Sequence, residues 1–568
     1  MKKLYKYCLS AVGCAVLAMS TSCSDSYLEE KMYSKYGPGV TDVDAKLLGL
    51  HYKIGQILGR SWDQGYAGIW QDGTDVGAPG DITGTECPFF KYAELNPEHN
   101  MVSELWNNLF SIVGTANLII ADEANGNDAQ RAEARFFRAY AYNQLVTGWG
   151  DVPLFTEPNS VPRTDFTRTP KAEVDKQIEE DLNYAIANLP TVNELAKSAR
   201  ICKDAARMLA AEAFLRMGYQ YGDQSYYKKA EDAVSPVISE GNYKLISERF
   251  GQHLGEPAGD YYSDIFRYGN QRRSQGNTEN IWLFEMENNS VIPNGTIDNP
   301  QQRRNWVPAF HKIAGMQNAD SIGGRGNGRL RLSNYVKYGV YEKGDIRNSN
   351  NNIRRVMYYN RQGWAGATYN INNEGYICQD GDAVAKTVTV GVGDRVYVSV
   401  KDTLNVLYPH TTKWGGYDPN DDFGYALVKD FPLMRFAEAY LLRAEARMRQ
   451  GNKQGAADDI NVLRDRAFKD ARKDNPNIGK VSADMMDIDF ILDERIRELV
   501  GEENRRFTLM RTGELGNRVK MMTQHWAEST PEKAIDGFDE SKNILLPIPL
   551  TEIQLNKDAE LVQNPGYK

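Results

Sequence analysis

The chain reads as mostly α: a scaffold of antiparallel helix pairs enclosing one large insertion of irregular loops and short strands. Three observations carry that reading. Apolar residues recur at three and four along several long segments. Two of those segments double back over a Gly-Asp or Gly-Asn turn between alanine-rich runs. From about residue 242 to 430 the helical period gives way to text rich in Gly, Asn, Tyr and Arg.

The first residues, MKKLYKYCLSAVGCAVLAMSTSC, place Lys2, Lys3 and Lys6 ahead of an apolar stretch of about a dozen residues ending in Ser and Thr. That is signal-peptide order, too short to span a bilayer, so residues 1–22 are expected to be removed. Cleavage before Cys23 would leave its thiol at the head of the mature chain, able to carry diacylglycerol and an N-acyl chain. Two or three chains hold a protein at a membrane where one does not. Ordinary secretion is the alternative, and Cys14 is a rival acceptor that would leave AVLAM in the mature chain. The formal charge is −9, and loss of residues 1–22 removes three lysines and no acid. So acidic a surface repels nucleic acid and anionic lipid, and neither is expected as a partner. Beyond Cys23, Cys87, Cys202 and Cys378 offer no CxxC and no even set, so the fold is not expected to depend on disulfides.

The first long helix is SELWNNLFSIVGTANLIIA, where Trp106, Leu109, Phe110, Val113, Ala116 and Ile120 form one stripe. Asn117 lies at its edge, and its amide is expected to bond a neighbouring helix or loop. In AQRAEARFFRAYAYNQLV, Ala132, Ala134, Ala139 and Ala141 admit a close partner, and Gly148 is expected to end the helix before an extended GWGDVPLF. Two later stretches share a layout. One turns at Gly222-Asp223 and returns through Tyr227 and Ala230; the other turns at Gly451-Asn452 and returns through Ala456, Ala457 and Ile460. Small residues facing each other across a short turn make the helix pair of tetratricopeptide arrays, here in degenerate form, a unit used to bind another protein or to act as scaffold.

Between the pairs, NIWLFEME and TVTVGVGDRVYVSV alternate as strands do. So long a segment cannot be one loop and must carry its own small sheets. Helical scaffold at about 40–240 and 431–568 flanks it, so residues 23–568 are expected to form a single unit with the insertion, about 242–430, as its binding part. Near the end, ILDERIRELVGEENRRFTLMRTG sets Ile488, Ile491, Leu492, Ile496 and Leu499 on one face of a helix, with Asp493 four residues before Arg497 on the other. The tail NILLPIPLTEIQLNKDAELVQNPGYK alternates proline with aliphatics and is expected to be extended and pinned.

In order along the chain, Cys23 with its acidic follow-on, the helix from Trp106 to Asn117, AEARFFRAYAYNQLVTGWGDVPL, MRFAEAYLLRAEA, ILDERIREL and the closing LLPIP, TEI, LN and QNPGY resemble the SusD/RagB family of outer-membrane lipoproteins from Bacteroidetes. Departures are Arg505, Arg506, Phe507, Thr508 and Leu509 where the family usually has RWxDL, and Lys557 where a proline often stands. The resemblance implies a SusD-like fold lipid-anchored through Cys23 on the outer face of the outer membrane. It also implies a SusC-like TonB-dependent transporter as partner, and a role in capturing oligosaccharide for import. A peptide-capturing version and a pure scaffold subunit are the alternatives.

No enzyme is expected. The six histidines are scattered, and there is no HExxH, Walker loop, GxGxxG or GxSxG. GGRGNG at 323–328 is read as a mobile loop, not a phosphate cradle. DPNDDFG at 418–424 lacks the glycine and closing glutamate of a calcium loop, so neither metal nor cofactor is expected. Asp72 and Asp75 in WQDGTDVG could serve as paired carboxylates of a glycosidase, but two loop acids more often fix hydroxyls or cap a helix. Sugar rings present C–H faces to flat aromatics, and their hydroxyls bond Asp, Asn, Gln and Arg. The candidate ligand contacts are therefore Trp306 beside Arg304 and Asn305, Asp75 with Asp72, Phe89 and Phe90, and Trp364 in RQGWAG. Trp106 and Trp282 lie on periodic segments and are expected in the core.

Overall fold

The computed structural model describes residues 42–59, 67–80, 89–159, 161–195, 199–288, 300–320, 323–404, 406–416, 427–529 and 535–568. The leader 1–22, Cys23, Cys87 and the DPNDDFG run lie outside the described residues.

Among the described residues eleven long helices build the frame: α1 (Val43–Gly59), α2 (Asn100–Ile120), α3 (Asp128–Trp149), α4 (Lys171–Asn188), α5 (Lys203–Tyr221), α6 (Gln224–Ser239), α7 (Phe436–Arg449), α8 (Lys453–Ala467), α9 (Ile488–Leu499), α10 (Arg505–Thr512) and α11 (Leu515–Ser529). Consecutive helices pack against one another from α2 to α6, and α7 packs on α6. The stack therefore runs on across the insertion as if the chain had not left it. Both turns form as the sequence implies. Gly222 (φ 63°) takes the left-handed conformation open to glycine, and the Asp223 side chain caps α6 by accepting from the Ser225 amide. Gly451 (φ 83°) and Asn452, accepting from Gly455, repeat the device before α8. Alanines 205, 206, 210, 211 and 213 of α5 and 437, 439, 444 and 446 of α7 are all buried, which lets the pairs approach closely.

Asn117 on α2 donates to the carbonyls of Phe155 and Glu157 at 3.1 and 3.2 Å and accepts from Arg138, so it ties α2 to the loop after α3. Helix α3 does not stop at Gly148. It runs to Trp149 and ends at Gly150 (φ 75°), while Gly148 makes room for the Phe507 ring, 3.1 Å from where a Cβ would stand. The tail is pinned as expected: Trp149 Nε1 donates to the Pro547 carbonyl at 2.8 Å, and Asn564 Nδ2 donates to the carbonyls of Trp149 and Leu546. It also holds one short helix, Leu550–Leu555, opened by Pro549, which an entirely extended reading misses.

Four two-stranded antiparallel sheets supply the strands: β1 (Gly77–Pro79) with β3 (Leu330–Leu332), β2 (Asn280–Phe284) with β8 (Phe431–Arg435), β4 (Ile353–Arg354) with β7 (His410–Thr411), and β5 (Ala367–Ile371) with β6 (Lys386–Val390). NIWLFEME thus becomes β2, and TVTVGVGDRVYVSV yields β6 alone. Gly393 (φ 96°) turns the chain, so RVYVSV makes only one bridge, Arg395 to Tyr358. The insertion has its own small core of Val307, Phe310, Met316, Met357, Tyr359, Val390 and Val396. GGRGNG is packed rather than loose: a Cβ at Gly326 would stand 2.0 Å from the Val307 carbonyl oxygen, and the amide of Gly328 donates to that same carbonyl.

Helix α9 departs most from expectation. Its polar face is not solvated: Glu494, Arg495, Arg497 and Glu498 are all buried. Arg497 bonds Glu494 at 2.8 Å, not Asp493, whose carboxylate accepts from Arg518 and Tyr335. Arg347 bridges Asp345, Glu494 and Glu498; Arg435 bridges Glu279, Glu498 and Glu502; Arg466 joins Glu279 to Glu498. This buried ionic network locks the insertion (Asp345, Arg347, Lys413) onto the frame.

Candidate functional site

The structure removes the first group of expected contacts from the surface. In the turn after Trp70, Gly73 (φ 66°) lies so close to the Phe89 carbonyl that a Cβ would stand 1.7 Å from its oxygen. This brings Asp72, Asp75, Phe89 and Phe90 together, but in the interior. Asp75 is fully buried and accepts from Arg505 of α10 through both carboxylate oxygens, at 2.8 and 2.7 Å. Arg506 reaches the Ile69 carbonyl at 2.6 Å and the Asp72 carbonyl, with its guanidinium 4.8 Å above the Phe89 ring. Phe90 packs with Tyr92, Leu492 and Leu509. The four residues are corrected from ligand contacts to an arginine-clamped turn. The clamping arginines are those of the Arg505–Leu509 run.

Trp306 is corrected likewise. It ends the short helix Gln302–Trp306 and belongs to the main core at 2 % exposure, with Asn305 also buried. Arg304 is half-buried, and its carbonyl accepts from the Asn327 and Arg329 amides. Trp364 also stays near the surface, half-buried against Tyr359 with ring centroids 4.5 Å apart and packed over Gly315. Trp106 and Trp282 are core, as expected.

What the insertion does form is an open cleft of about 920 Å³. It is lined by Gln252, His253 and Tyr268, by the run from Met316 to Asp320, and by Gly416 and the buried Lys429. The lining is held rigidly. His253 bonds Glu256 at 2.7 Å and the Tyr268 carbonyl at 2.8 Å, and Asn360 accepts from the Gln317 amide at 2.8 Å. The side chains of Gln317 and Asn318 have no partner within the protein, and Nδ1 of the half-buried His311 has none either. Burial, with Arg325 and Lys312 nearby, pushes the His311 imidazole down to about 4, so it is neutral at physiological pH. Such a cleft offers amides, a neutral imidazole and one partly exposed tyrosine, a set matched to hydroxyl-rich ligands. Sequence reasoning missed it because the residues are short polar ones scattered from 252 to 429. The available signal was the insertion's amide-rich text.

Among the described residues no group of three or more His, Cys, Asp or Glu is placed to hold a metal ion. No described helix is long and apolar enough to cross a membrane. Cys202 and Cys378 are free thiols.

Comparison with known proteins matches residues 265–567 to the SusD family and residues 86–215 to a family described as starch-binding, associating with the outer membrane. The chain is 24% identical to SusD-like protein P25 of Formosa agariphila, over 97% of this chain and 98% of that one. It is 27% identical to the starch-binding protein SusD of Bacteroides thetaiotaomicron over 77% of this chain and 73% of that one. Its fold matches surface glycan-binding protein A from Bacteroides fluxus with a TM-score of 0.63 at 21% identity, covering 92% of this chain and 99% of that one.

Proposed function

The chain belongs to the SusD family, and from that premise we propose that it is a cell-surface lipoprotein that captures oligosaccharide and delivers it to a SusC-like TonB-dependent outer-membrane transporter. The observation that carries the reading is the insertion's cleft, lined by Gln252, Tyr268, Gln317, Asn318 and Asn351. Amide side chains pair with vicinal hydroxyls through both donor and acceptor, and the Tyr268 ring offers a face to sugar C–H groups. The names of the starch-binding and glycan-binding relatives support it. Cys23 is the proposed lipid attachment, residues 1–22 the leader, and residues 23–568 one unit facing the cell exterior. The helix stack is the surface proposed to meet the transporter.

The role is binding without covalent chemistry. Asp72 and Asp75 are fully buried, Asp75 is already claimed by Arg505, and neither lines the cleft.

The test is calorimetric titration of the mature soluble chain with a panel of oligosaccharides and peptides, alongside Tyr268→Ala and Asn318→Ala. Selective binding to a glycan, weakened about tenfold or more by either change, is expected. Release of reducing ends would refute the non-enzymatic role. Uptake of peptides alone would transfer the reading to peptide capture, and silence on both would leave a scaffold subunit.

A further inference from the structure

Among the described residues the cleft carries positive charge that no lining acid neutralises, in a chain whose overall charge is −9. The two acids among the described lining residues are already engaged: Glu256 by His253 and Arg267, and Asp320 by Arg354. Two cations remain. Lys429 is 2 % exposed, and its Nζ donates to one acceptor, the Lys413 carbonyl. No carboxylate lies within 4.0 Å of that Nζ. Its nearest acids are committed elsewhere, Asp430 to Arg272 at 2.7 Å and Glu502 to Arg435 at 2.6 Å. Besides that one hydrogen bond the ammonium has the Trp414 ring, 5.6 Å away, and no carboxylate among the described residues; out of water this is poor compensation, and an arriving anion would relieve the cost. Arg361, which also lines the cleft, is exposed, and its guanidinium has no hydrogen-bond partner among the described residues.

We propose that this cleft is a subsite for a negatively charged substituent of the captured glycan, a carboxylate or a sulfate ester, received by the buried Lys429 and the exposed Arg361. The inference rests on the capture reading above and narrows it to acidic sugars. Guanidinium and ammonium bind either group by charge-assisted hydrogen bonds, while the amides of Gln317 and Asn318 take neighbouring hydroxyls.

The test titrates the mature soluble chain with two matched pairs: oligogalacturonate against its methyl ester, and a sulfated galactan oligosaccharide against its desulfated form. At least one charged probe is expected to bind about tenfold tighter than its neutral partner, and the pair that shows it identifies the anion. Arg361→Gln and Lys429→Met should each cut that ratio to about threefold or less. Arg361 is exposed, so its variant reads the site even if Lys429→Met fails to fold. Equal binding of charged and neutral partners overturns the subsite and leaves glycan capture standing. A charge preference that survives both variants overturns the assignment to this cleft. Silence towards every oligosaccharide defeats the capture reading and this inference together.

Discussion

The Asp75–Arg505 pair shows how one side chain decides between surface and interior. Both groups are buried and joined through two hydrogen bonds, so removing one strips its partner of its nearest counter-charge, leaving only Arg518 at 3.5 Å from Asp75 or Glu503 at 3.3 Å from Arg505. Arg505→Met or Asp75→Asn should cost about 3–5 kcal/mol, read from denaturant midpoints, with the double variant costing less than the two single changes combined. Gly73→Ala should also destabilise, by roughly 2 kcal/mol or more, since its φ is 66° and its Cβ would meet the Phe89 carbonyl. At Lys429, burial pushes the ammonium down to about 7; Asp430 and Glu502 oppose that push, and Arg267 and Arg303 add to it. Lys429 is therefore charged below about pH 7 and neutral above it, while the Arg361 guanidinium stays charged throughout. Preference for an anionic sugar should be several-fold greater at about pH 6 than at about pH 8, and Lys429→Met should flatten that profile.

Helix α9 is the element that joins insertion to frame, and its acids set the response to acid. Burial alone would raise Glu494 and Glu498. Arg347, Arg464 and Arg497 around the first, and Arg466, Arg435 and Arg347 around the second, hold both well below the usual carboxylate range. Glu503, buried beside Arg495 and Arg505, is held at about 2. A carboxyl whose folded value is depressed stabilises above its unfolded pKa, near 4.5, and that contribution disappears as pH falls through the folded value. Stability should therefore fall between about pH 4.5 and 2, and Glu503→Gln should flatten part of that slope in acid titrations followed by circular dichroism. The element scale is also where the sequence was most legible. Alanine-rich periodicity with Gly-Asp and Gly-Asn turns located α5 to α8, and local hydrogen bonding decides such features. The charged face of α9 was not legible, because ILDERIREL is the text of a solvated helix until residues as distant as Arg347 and Arg435 cover it. The candidate site failed for the same reason in reverse. Trp306, Phe89 and Asp75 stand in polar, irregular text, yet arginines and neighbouring segments enclose them.

For the whole molecule, the ionic network makes insertion and frame share one interior. One cooperative unfolding transition is expected by calorimetry for the chain from Cys23 onward, and two separate transitions would overturn the single-unit proposal. Cys23→Ala should yield an exported protein that is unlipidated and soluble; the same variant found acylated at the membrane would refute the anchor. The ladder of β2 with β8 has a consequence for diversification. It sets Phe284, inside the insertion, opposite Phe431 at its end, so the chain from 285 to 430 departs and returns at one place. Lengthening or rewriting that lobe adds loop-closure entropy only slowly and leaves the helix stack undisturbed. Provided Arg347 and Lys413 keep their grip on α9 and the residues just after it, one scaffold can trade its ligand for another without remodelling the helix stack, the surface proposed to meet a transporter.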